Sequence, residues 1–90
     1  MKIIPFIEQL SLNGCWPNDP ALYITLIQTI PERQRNITEL AAACGVPKYY
    51  LYPMVKNLSD KGFVKRVFGG SSRYVILTEK GEELLRGLSE

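Results

Sequence analysis

Two helix signals stand close together in the middle of the chain and limit what it can fold into. Asn36 with Glu39 three residues later forms a capping box, a helix start. Gly45 fits the far end of the same helix, where the backbone turns left-handed. Between them fit barely more than two helical turns, with Leu40, Ala41 and Cys44 on one side. So short a helix is stable only if its apolar side is packed. The next element must therefore lie against it. The small Ala41–Ala43 run lets that element approach closely.

The next element is a second helix over about 47–61. Leu51, Met54, Val55 and Leu58 repeat at helical spacing and face inward. Lys48, Tyr49, Tyr52, Lys56 and Asn57 are left facing out. Pro53 falls inside this helix, where it removes one hydrogen bond and bends the axis. Gly62 closes it. Phe63–Phe68 and Arg73–Leu77 are rich in β-branched and aromatic residues, and Gly69–Ser72 between them must reverse the chain. Thr78 caps a last helix, with Glu79, Glu82 and Glu83 early in it and Leu84, Leu85 and Leu88 on its apolar side. Upstream, Asp19–Pro20 starts another helix carrying Tyr23, Leu26, Ile27 and Ile30, and Pro31 ends it. Ile3, Ile7 and Leu10 suggest an N-terminal amphipathic helix that Gly14 stops. The loop CWPNDP at 15–20 holds Trp16, expected to plug the core or a partner.

This order predicts a mainly α chain with a small β-hairpin, a winged helix-turn-helix: a three-helix core plus N- and C-terminal helices. Ninety residues make one domain. Its expected parts are 1–13, an N-terminal helix; 20–30, the first core helix; 36–62, the helix-turn-helix; 63–77, the wing; and 78–89, the C-terminal helix.

Net charge is only +2 but unevenly spread. Gly45–Val75 carries six basic residues and one acid, a local +5, and the rest of the chain carries −3. Nucleic acid is the natural partner for that asymmetry; a solvated mixed surface is the alternative. There is no histidine, and Cys15 and Cys44 match no zinc spacing. No metal, cofactor or enzymatic activity is expected. A buried free thiol is the first reading of Cys44, and a Cys15–Cys44 disulfide the second. MKIIPFIEQL does not read as a signal peptide, because Pro5 and Glu8 interrupt it, and no run is long enough to span a membrane. A cytoplasmic, DNA-associated protein is expected.

Glu39-Leu40-Ala41, Cys44-Gly45-Val46, Leu58, Lys61-Gly62-Phe63-Val64 and Leu77-Thr78-Glu79-Lys80-Gly81 together resemble the MarR and PadR families of bacterial and archaeal regulators. Leu51-Tyr52-Pro53 and Tyr74 look PadR-like. The resemblance covers about half the chain. It implies a recognition helix in the major groove and a wing beside it. Where MarR proteins usually carry Asp-x-Arg, this wing reads Gly-Gly-Ser-Ser-Arg. PadR proteins usually continue into a long dimerisation region, and this sequence stops at Glu90.

Under this reading Lys48, Tyr49, Tyr52, Lys56 and Asn57 form the DNA face of the recognition helix. Lys48 suits guanine acceptors. Tyr49 and Tyr52 offer a hydroxyl and a ring, or else pack against neighbouring helices. Tyr50 is ambiguous and leans either way. Lys56, Lys65 and Arg66 suit phosphates, with plain solvation as the alternative. Ser71, Ser72 and Arg73 belong to the wing, and the resemblance implies a minor-groove role for Arg73; a cross-strand pair is its other reading. The abundance of apolar side chains near the N-terminus predicts a homodimer held by Ile3, Ile4, Ile7 and Leu10 together with Leu84 and Leu88; a first helix folded back onto its own core is the alternative. The expected function is a sequence-specific, double-stranded-DNA-binding transcriptional regulator. A DNA-coating or partition protein of the kind archaeal plasmids and viruses encode is the alternative. A winged-helix protein-interaction module comes third.

Overall fold

The computed structural model describes residues 8–32, 36–69 and 72–89. Ile3, Ile4, Ile7 and Ser71 lie outside the described residues, as does the side chain of Ser72. Residues 8–10 are helical and the helix ends there, because Ser11 takes φ 49°. The expected end near residue 13 is thus too late; Gly14, with φ 77°, belongs to the following turn.

Helix α1, Pro20–Thr29, is capped by Asp19, whose carboxylate accepts from the Ala21 amide at 3.1 Å. Pro20 costs nothing in the first turn, where its missing N–H would have no partner. A 3-10 turn, Ile30–Glu32, follows it. Helix α2, Ile37–Cys44, begins where the Asn36 side chain accepts from the Glu39 amide at 2.8 Å. It ends on Gly45 at φ 71°, with the Val46 amide returning to the Ala41 carbonyl at 3.0 Å. Helix α3, Lys48–Asp60, contains Pro53 without interruption of the helical segment and is followed by Gly62 at φ 83°.

Strands β1, Val64–Gly69, and β2, Ser72–Leu77, pair antiparallel from Val64↔Leu77 to Gly69↔Ser72. Backbone pairing therefore reaches Gly69 and Ser72, and only residues 70–71 link the strands, fewer than the four expected. Asn36 adds a bridge to Tyr74, which ties the start of α2 to the hairpin. Helix α4, Glu79–Ser89, starts at Thr78, whose Oγ1 accepts from the Gly81 amide at 3.2 Å.

The core collects one side of every element. Tyr23, Leu26, Ile27, Leu40, Leu51 and Phe63 are among its fully enclosed side chains. Leu10, Leu84 and Leu88 are buried in the same cluster. That corrects the dimer contact expected of these three leucines: the chain's own core consumes them. A domain this small draws on every apolar side chain within reach to fill its core. Cys15 and Cys44 are not joined in a disulfide, and each is half-buried against the cluster.

Two glycines are needed for different reasons. A Cβ at Gly45 would meet nothing, so only the left-handed backbone requires glycine there. A Cβ at Gly81 would sit 2.1 Å from the Phe63 carbonyl oxygen, inside the backbone of a neighbouring element. Gly45→Ala should therefore cost about 1 kcal/mol. Gly81→Ala should cost about 2–3 kcal/mol, although alanine favours helix. Urea unfolding midpoints check this order, and an equal or reversed order would contradict the close packing at Gly81.

Candidate nucleic-acid interface

Helix α3 divides lengthwise into three sides, since residues turn by about 100° each. Leu51, Met54, Val55 and Leu58 enter the core. Lys48, Tyr49, Tyr52 and Lys56 form an exposed side, with Tyr49 67% and Tyr52 56% accessible. Tyr50, Pro53, Asn57 and Lys61 form a third side, half-buried.

The third side carries the main correction to the site. Asn57 does not face outward. Its Nδ2 donates to the Tyr23 hydroxyl at 2.9 Å and to the Trp16 carbonyl at 3.3 Å. The Tyr23 hydroxyl in turn donates to the Pro17 carbonyl at 2.6 Å. Asn57 thus holds the 15–18 loop against α3 and satisfies a buried phenol. Lys56 stays exposed but pairs with Asp60 at 3.1 Å, one turn along the helix. Exposed pairs of this kind are worth at most about 1 kcal/mol and leave the ammonium free to exchange partners. Trp16 is not a core plug: it is 57% accessible and meets Tyr50 edge-on, with ring centroids 5.1 Å apart.

The hairpin register sorts the wing cations. Cross-strand partners share a face, so Arg66 (opposite Val75) and Arg73 (opposite Phe68) point the same way. Lys65, opposite Ile76, points to the other face. All three are exposed. The Arg73 guanidinium lies 5.4 Å from the centre of the Phe68 ring, so it stacks on an aromatic and not against a cross-strand charge.

Arg66 and Arg73 come together with Tyr52 around a cleft of about 380 Å³ between α2, α3 and the hairpin. Asn36, Ile37 and Thr38 at the start of α2 form one wall, and Val55, Phe68, Tyr74 and Val75 complete the lining. Two guanidiniums and two phenols, those of Tyr52 and Tyr74, therefore line one concavity beside the exposed side of α3. Such a set donates hydrogen bonds to anionic oxygens. The α2 start and the exposed Phe68 are site residues that sequence reasoning missed. The alternation along β1 was the signal for Phe68, since it shares a face with Arg66. Nothing local marked the start of α2 as a wall of the cleft.

The helix pair α2–α3 with its hairpin defines a winged helix-turn-helix domain, and similar proteins agree. Residues 16–80 match the family described as sugar-specific transcriptional regulator TrmB. The chain belongs to that family of regulators, which is not a family of enzymes. No curated protein matches the sequence. Among solved structures, the transcriptional regulator Tm0710 from Thermotoga maritima superposes with TM-score 0.68 at 24% identity, over 93% of this chain and 58% of that one. A MarR family regulator from Silicibacter pomeroyi gives 0.73 at 22% identity, over 88% and 54%. A homodimeric winged helix-turn-helix DNA-binding domain from Mycobacterium bovis gives 0.65 at 16% identity, over 96% and 71%. The MarR side of the sequence resemblance is thus met in structure, while the matching family is one the residues had not singled out. The chain spans a little over half the length of the first two of these regulators.

Burial holds the Tyr23 phenol above its ordinary range, against a smaller opposite effect of the Asn57 hydrogen bond. A phenol that keeps its proton longer in the folded state stabilises the fold below its unfolded pKa of about 10 and withdraws that support as pH rises further. Stability should therefore fall in alkali, and Tyr23→Phe should flatten that fall. Asn57→Ala should cost about 1–2 kcal/mol at neutral pH by removing the two bonds it donates to the Tyr23 hydroxyl and the Trp16 carbonyl. Urea titrations across pH check both, and an Asn57→Ala variant as stable as the parent would contradict the tether.

Proposed function

We propose that the chain is the DNA-binding part of a homodimeric, sequence-specific transcriptional regulator. The observation that carries this reading is the juxtaposition of two surfaces. Lys48, Tyr49, Tyr52 and Lys56 stand exposed on one helix side, and Arg66 and Arg73 converge with Tyr52 at the adjoining cleft. An exposed helix fits the major groove, where base edges carry distinct donor and acceptor patterns. Lys48, Tyr49 and Tyr52, near its N-terminus, are the base-reading set. Arg66 and Arg73 hold phosphates or enter the minor groove beside it, and Lys56 and Lys65 add phosphate contacts from its borders.

Two-fold pairing supports specificity, since one module makes few contacts and two place their helices about 34 Å apart, one turn of duplex. Membership in a regulator family and the homodimeric M. bovis domain favour that assembly. With Leu10, Leu84 and Leu88 spent on the core, the dimer contact falls to Ile3, Ile4 and Ile7. The protein would act in the cytoplasm on the DNA.

Anisotropy of a labelled duplex across salt tests this reading. Affinity should drop steeply with salt, and Arg66→Ala and Arg73→Ala should each flatten the log–log slope by roughly 0.9. No binding near physiological salt, or slopes unchanged in both variants, would contradict it. A short protected footprint is expected; one that spreads along the duplex would indicate a coating protein instead.

A further inference from the structure

Among the described residues, the exposed large apolar side chains are Trp16, Tyr49, Tyr52 and Phe68. Tyr49 and Tyr52 lie on the exposed side of α3, and Phe68 lines the cleft along one border of that side. Trp16 lies along the opposite border. Its loop is fixed there by two polar ties, Asn57 to the Trp16 carbonyl and Tyr23 to the Pro17 carbonyl, and Lys61 holds the turn before it through the Ser11 carbonyl at 3.2 Å. Asn57 and Lys61 belong to the third side of α3, next to Tyr49 on the helix circumference.

The indole is thus held, yet its surface is left open. Trp16 meets Tyr50 edge-on at 5.1 Å, and Tyr50 meets Tyr49 edge-on at 5.2 Å. Three rings form a continuous row from the loop to the start of the recognition helix. A fixed aromatic row whose two end rings, Trp16 and Tyr49, are exposed marks an interaction surface rather than a core. The row is continuous with the Lys48–Tyr49 surface, so its occupant is the one that surface takes. The indole N–H is a donor only, and phosphate oxygens are acceptors only.

We propose that the Trp16 loop is a second flank of the DNA interface, across α3 from the wing. In the complex Trp16 lies against the duplex backbone, while Tyr50 transmits its position to Tyr49. The duplex is then gripped on both borders of α3, by Arg66 and Arg73 on one and by the indole on the other. This rests on the DNA-binding reading, and its test separates the two.

Trp16 is the single tryptophan of the chain, so its emission reports on this loop alone. The full chain is titrated with a fluorescein-labelled random-sequence duplex at low salt. Anisotropy reports binding; acrylamide quenching of tryptophan, measured with unlabelled duplex, reports shielding of the indole. The expected result is binding accompanied by weaker quenching. Trp16→Ala should lose roughly two- to tenfold in affinity, the weight of one aromatic contact, and Trp16→Phe should lose less. Binding with unaltered quenching, or a Trp16→Ala variant that binds as tightly as the parent, overturns the proposal and leaves DNA binding standing. Absence of anisotropy change in the parent chain overturns both.

Discussion

The direction in which α3 leaves the core is set by one backbone junction. Phe63, fully buried, follows the Gly62 turn, and its carbonyl accepts from the Thr78 amide at 3.1 Å. The Thr78 hydroxyl donates to the Gly62 carbonyl while its oxygen also receives the Gly81 amide. Gly81 presses against the Phe63 carbonyl, and the Lys80 ammonium lies 4.7 Å from the centre of the Phe63 ring while bonding the Lys61 carbonyl. The end of α3, the base of the hairpin and the start of α4 are therefore one locked unit. Burying a phenylalanine contributes about 2–3 kcal/mol, but the geometric consequence matters more. It fixes where the wing stands relative to the helix, and hence where Arg66 and Arg73 stand relative to Tyr52.

From that lock the three-sided use of α3 follows. One side is core, one faces α1 and its preceding loop, and one is left for a partner. The half-buried side is polar because it meets a loop, whose carbonyls need donors; Asn57 and Lys61 supply them. The exposed side is basic and aromatic, which no core requirement explains. The charge imbalance of the sequence thus becomes a spatial one: cations gather on α3 and the hairpin, while α4 begins with Glu79 and Glu82.

Local features were legible in the sequence because their partners lie a few residues away. The Asn36 cap, the left-handed Gly45 and the Asp19–Pro20 start each involve bonds spanning five residues or fewer. Asn57 misled because its partners lie 34 and 41 residues upstream, in a loop whose path no periodicity reveals. Helical spacing sets it one step round from Lys56, beside Tyr50 and Pro53, but does not say that a loop covers that side. Leu10, Leu84 and Leu88 misled for a related reason: a surplus of apolar residues was assigned to a dimer, whereas the small core takes those three. The cleft arises only when the α2 start meets the hairpin through the Asn36–Tyr74 bridge.

The central claim is that the exposed side of α3 and the adjoining cleft together form the surface that meets DNA. Amide shift mapping of the labelled chain with a duplex tests it most directly. The account predicts changes concentrated at residues 36–38, along Lys48–Lys56 and at Arg66 and Arg73, with α4 nearly silent. Changes centred on α4, or scattered with none in α3, would contradict it.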